Sequence, residues 1–93
     1  MADIEVTQVG TGGPSSFEVK VVDDRGSAEF QVTLSTADQR LAAGYPSAEA
    51  FIRACFAFLL EREPKESILR SFDVSEISTY FPEFEATISR STG

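Results

Sequence analysis

Histidine is absent from this chain of 93 residues, and cysteine occurs once, at Cys55. Two kinds of chemistry go with them. A nucleophilic serine or cysteine normally needs an imidazole base, and tight transition-metal sites draw on imidazole and paired thiolates. No cofactor and no metal are therefore expected. A lone cysteine cannot close an internal disulfide, so nothing marks an oxidising compartment. Lysine is scarce too: only Lys20 and Lys65 could serve as a catalytic base, and neither sits in a recognisable motif.

Positive charge is thin as a whole. Eight basic residues face fifteen acidic ones, a formal net charge of −7, and the basic residues are scattered singly from Lys20 to Arg90. Binding nucleic acid rests on clustered Lys and Arg that release counterions from phosphates. Nucleic acid is therefore an unexpected partner, as is an anionic membrane surface. Long apolar runs are missing as well. The longest, Ala54 to Leu60, falls far short of the about 20 residues that a membrane-spanning helix needs. The N-terminus lacks the basic, apolar and small-residue order of a signal peptide, which makes a bacterial or archaeal cytoplasm the expected setting.

What is present is a change of hydrophobic period. Phe17, Val19 and Val21, then Phe30, Val32 and Leu34, fall two apart, whereas Phe51, Ile52, Cys55, Phe56, Leu59 and Leu60 fall at helical spacing. Alternation predicts strands over Asp3 to Val9, Phe17 to Val22 and Ala28 to Leu34. The last two form a hairpin whose link, Asp23 to Ser27, places Gly26 at positive φ. Gly10 to Ser16 reads as a loose connection and residues 91–93 as a loose tail.

Thr36 with Gln39 has capping-box spacing and introduces a short helix over Ala37 to Ala43. Ser47 caps a main helix over Ala48 to Glu63, which Pro64 ends, because the residue before a proline avoids helical geometry. Lys65 to Phe72 and Val74 to Phe81 read as two more short helices, with Asp73 and Glu76 as a second capping pattern. Glu83 to Ser89 fits helix or strand, with helix favoured by the preceding Pro82. At 42% hydrophobic residues, including eight phenylalanines, the chain can bury one core. The predicted architecture is a single α+β domain over residues 1–93, with a three-stranded antiparallel sheet carrying the main helix and the shorter C-terminal helices on one face.

The glycines of Val9 to Gly13 resemble a phosphate-binding turn. They open onto Pro14 and a strand, not the helix whose amides such a turn needs. Asp23 and Asp24 belong to turn chemistry, being too few for a calcium loop. Glu61, Glu63 and Glu66 beside Arg62 and Lys65 read as a solvated helix end, with Glu66 within helical reach of Arg62 and Arg70. Cys55, mid-helix among hydrophobes, is an inert buried thiol.

The stretch Phe58 to Phe84, FLLEREPKESILRSFDVSEISTYFPEF, resembles a segment of small uncharacterised bacterial proteins, a resemblance that implies no activity, cofactor or site. From the residues themselves, the expected function is that of a small acidic, non-catalytic protein-interaction or accessory module. Its contact surface would be Ala50, Ala54, Ala57 and Phe58, where small residues beside one large ring admit a protein partner or a second copy. The alternative is a small hydrolase or ligand-binding domain that uses carboxylates near Pro64 and the loop before Ser47.

Overall fold

A computed structural model describes residues 3–10 and 15–90. The chain runs through strand β1 (Asp3–Gly10), β2 (Ser15–Asp23) and β3 (Gly26–Leu34), then helix α1 (Gln39–Ala42), the long α2 (Ala48–Arg62), strand β4 (Ser71–Asp73), α3 (Ser75–Tyr80) and α4 (Phe84–Arg90). The predicted α+β class holds. Of the connection Gly10 to Ser16, residues 11–14 lie outside the described residues, while Gly10 ends β1 and Ser15 and Ser16 begin β2. The predicted tail, 91–93, also lies outside them.

The sheet corrects the prediction in number and direction. It has four strands in the order β1-β2-β3-β4, the first three antiparallel and β4 parallel to β3. Lys65 to Phe72 is thus no helix: a single 3₁₀ turn, Lys65–Ser67, leads to β4. Two bonds anchor this short strand, the Gln31 amide donating to the Arg70 carbonyl at 2.8 Å and the Val74 amide to Thr33 at 2.9 Å.

Alternation then decides which side chains are covered. Phe17 pairs with Val32, Val19 with Phe30 and Val21 with Ala28, all buried on one face. One residue along each strand, Glu18 opposite Gln31 and Lys20 opposite Glu29 face outward. A step of one residue inverts the face, so the register is pinned by burial. Gly26 takes φ of 124° in the hairpin link, where an L side chain would be strained.

Helix α2 covers the inner face. Ser47 Oγ accepts from the Ala50 amide at 3.1 Å, the expected cap. The Thr36 box is not formed: the turn Thr36–Asp38 and α1 have no side-chain cap bond. Buried Phe51, Ile52, Cys55, Phe56, Phe58 and Leu59 cover a broad arc of α2, with Phe56 packed on Phe30 and Phe72 at ring distances of 5.1 and 5.9 Å. Helix α4 closes the opposite flank, and Tyr45 Oη donates to the Ile88 carbonyl at 2.8 Å to hold it against the loop before α2. No helix among the described residues is long and apolar enough to cross a membrane.

Candidate functional site

The predicted contact surface does not assemble as one exposed patch. Phe58 is 4% exposed, with its ring at 5.8 Å from Phe81 and 5.1 Å from Phe84, and the Arg62 guanidinium lies 3.6 Å over it. Ala54 is half-buried against the core, Ala50 is half-buried, and only Ala57 is exposed. The cover over Phe58 comes from α4 and the 81–84 turn, short elements with a weak sequence signal.

A different surface emerges where α2 ends. Glu63 is extended at φ −153° and ψ 154°, as a residue before proline must be, and it breaks the helix after Arg62. The chain then turns once, at Lys65–Ser67, and runs off to the sheet edge before α3 returns beside it. Between α2, the 67–69 segment and α3 lies a groove of about 380 Å³. Leu59, Ile68, Phe72, Ile77 and Phe81 form its apolar bed. Its rim carries Leu69 and Tyr80, 48% and 65% exposed, with the carboxylates of Glu63 and Glu76.

Each wall is fixed by local chemistry. Glu76 Oε2 accepts from the Asp73 amide at 2.9 Å, one half of the capping box that the Asp73 and Glu76 spacing predicts, while Asp73 Oδ1 accepts from the amide of Ser75, not of Glu76, at 2.9 Å. This holds the start of α3 against β4. One turn on, Tyr80 stands beside Glu76 at i, i+4 spacing. The opposite wall hangs on Lys65, which the sequence places among solvated charges. Its side chain is instead 2% exposed, and its ammonium donates to Asp23 at 2.8 Å and to Glu66 at 2.6 Å. The hairpin tip and the turn that carries Leu69 are therefore tied together.

The predicted pairing of Glu66 with Arg62 and Arg70 does not occur. Arg62 donates instead to Glu83 at 3.2 Å, Glu61 at 3.4 Å and the Phe58 carbonyl at 3.1 Å, bracing α2 against the start of α4. The carboxylates near Pro64 thus point to separate tasks: Glu61 to Arg62, Glu66 to Lys65 and Glu63 to the groove. Hydrogen bonding holds the carboxyls of Asp23 and Glu66 below the usual range, chiefly from the Lys65 ammonium. Glu83 is lowered as well, by its own backbone amide first and by Arg62 second. A general acid at neutral pH needs the opposite displacement.

Cys55 lies among hydrophobes, 1% exposed, and burial drives its thiol far above the ordinary range, which suppresses the thiolate. Asp23 performs the turn role expected of it, accepting from the Arg25 amide at 2.8 Å. Among the described residues no group of three or more potential ligands converges on a metal-sized site.

The chain matches no protein-family model, and neither a curated protein nor a solved structure matches it.

Proposed function

We propose that this chain is a small acidic, non-catalytic protein-interaction module that engages its partner through the groove between α2 and α3. The observation that carries this reading is the coincidence of Leu69 and Tyr80, two of the most exposed large hydrophobic residues, on the rim of one apolar groove. Scattered exposed hydrophobes are ordinary, but an exposed aromatic and an exposed aliphatic bordering a shared apolar bed form the kind of anchor site that protein contacts use.

The ligand-binding or hydrolase alternative draws some support from the groove volume, which lies in the range of small-molecule clefts. It is weakened by distance. Its two parts, the loop before Ser47 and the carboxylates near Pro64, stand at opposite ends of α2, whose fifteen residues span about 22 Å.

The test is capture from extract of the producing cells on immobilised wild-type protein and on a Leu69→Asp, Tyr80→Asp double variant of verified fold. A protein retained by the wild type and lost from the variant supports the reading. Equal retention on both contradicts it, as does a small molecule retained in place of any protein.

A further inference from the structure

We infer that the occupant of the groove is a basic amphipathic helix, an inference that rests on the docking role proposed above for this surface. Charge gives the first argument. The residues lining the groove include two carboxylates, Glu63 and Glu76, and no lysine or arginine. The cations nearest in sequence lie outside that lining: Arg70, next to Leu69, sits 6.0 Å from the Phe30 ring, and the other two are already committed. Lys65 is buried between Asp23 and Glu66, and Arg62 is shared by Glu61, Glu83 and the Phe58 carbonyl. Glu76 is half engaged in capping α3. The Glu63 carboxylate, by contrast, has no hydrogen bond or ion pair among the described residues, although it stands half-buried on an apolar rim. A half-desolvated carboxylate beside exposed Leu69 and Tyr80 is matched by an incoming ammonium or guanidinium that flanks an apolar anchor.

Backbone geometry gives the second argument. Adding a peptide strand requires a row of free main-chain groups, and the sheet edge nearest the groove is β4, three residues long and followed at once by α3. An edge that short provides too few ladder bonds, so recognition falls to side chains. An amphipathic helix, which satisfies its own backbone and lays an apolar stripe into a groove, meets that condition.

A rival acidic surface exists on the outer face of the sheet, where Glu5, Glu18 and Glu29 lie together. Lys20 stands among them, paired across the strands with both Glu5 and Glu29, and the exposed hydrophobe of β1, Val9 at 52%, lies at the register shift near the end of that strand, outside the residues that line the acidic patch. That patch offers charge with an internal cation and no aromatic anchor, whereas the groove joins unpaired charge to Leu69 and Tyr80 on one rim.

The experiment uses a fluorescent synthetic peptide of about 14 residues, four helical turns, with leucines at i, i+3, i+4 and i+7 spacing and lysines elsewhere. Two counterparts keep the leucines and carry glutamine or glutamate in place of lysine. Anisotropy is measured with wild-type protein, Glu63→Gln, Glu63→Lys and the Leu69→Asp, Tyr80→Asp double variant, each checked by circular dichroism. Tightest binding is expected for the lysine peptide, weakened about tenfold by Glu63→Lys and less by Glu63→Gln. Raising salt from about 50 mM to about 300 mM should weaken it further. If the glutamine peptide binds wild type as tightly as the lysine peptide and the double variant binds neither, the groove docks helices but the basic occupant is wrong. If the lysine peptide binds the double variant as well as wild type, the groove reading falls with it. Binding of no peptide overturns the helical occupant and leaves the groove to be judged by capture.

Discussion

The ammonium of Lys65 lies 2.8 Å from the carboxylate of Asp23, joining two residues 42 positions apart and tying the β2–β3 hairpin tip to the turn that follows α2. Glu66 completes the cluster at 2.6 Å. The three groups have a charge that sums to −1, and the lysine is the only deeply buried member, at 2% exposure against 28% for Asp23 and 57% for Glu66. The latch holds one wall of the groove, so its effects reach stability and recognition together.

The pH dependence follows from the direction of each displacement. Asp23 and Glu66 are lowered by the hydrogen bonds from Lys65, so their stabilisation is present above the ordinary carboxylate range and is lost as pH falls through the lowered values, below about pH 4. Lys65 is raised by its bond to Asp23 first and to Glu66 second. Its contribution is present below about pH 10 and is lost as pH rises through the raised value. The thermal midpoint should be flat from about pH 5 to about pH 8 and then fall, because above that the Cys55 thiol ionises in the unfolded chain while burial keeps it neutral in the folded one. In Lys65→Met the plateau should drop and the acid limb should become shallower, retaining the slope due to Glu83 and Arg62. An acid limb unchanged by Lys65→Met would show that the latch contributes nothing.

The two faces of β3 should respond oppositely to substitution. Phe30→Ala removes a ring that is 2% exposed and packed on Phe56, and should cost about 3–5 kcal/mol in urea unfolding. Gln31→Lys, one residue on, places a cation opposite Glu18 on the wet face and should change stability by no more than about 0.5 kcal/mol. Comparable losses at the two positions would mean that the register is misassigned.

Rim and bed of the groove should separate in the same way. Ile77→Ala, at a position 3% exposed, should cost about 2–4 kcal/mol. Tyr80→Ala, at 65% exposure, should stay within about 0.5 kcal/mol of wild type while impairing partner binding. A large loss of stability from Tyr80→Ala would assign that side chain to the core.

Cys55 supplies an internal clock for opening. Because burial covers the thiol and suppresses its ionisation, a disulfide reagent should modify it only through global or sub-global unfolding. Modification at neutral pH should therefore be slow in native conditions and complete within mixing time in denaturant. Fast native modification would indicate that α2 frays or lifts from the sheet.

Much of the fold was legible in the residues. Period-two alternation from Phe17 to Leu34 located the hairpin, Ser47 and Pro64 bracketed α2, and Asp73 with Glu76 marked the start of α3, because each of these signals is a local chemical rule. What escaped needs long-range information. Three residues, Ser71 to Asp73, are too few to show a period, and they become a strand only because Gln31 and Thr33 offer them a free edge. Lys65 looked solvated because its neighbours are charged. Its burial depends on Asp23, distant in sequence and near in space. The cover over Phe58 escaped for a related reason: α2 alone leaves that ring outside the main stripe, and only the packing of Phe81 and Phe84 covers it. The groove was legible in part, through the break that Pro64 imposes, while its apolar bed required the path of the chain from α2 to α3.

The central claim, that recognition takes place at this groove, is tested most directly by amide chemical-shift mapping of isotope-labelled wild-type protein titrated with the lysine peptide. Perturbations should concentrate at Glu63, Leu69, Glu76, Ile77 and Tyr80, with the outer-face residues Glu5, Glu18 and Glu29 unmoved. Shifts centred on that outer face, or on Ala50 and Ala57 of α2, with the 63–80 region silent, would contradict the account.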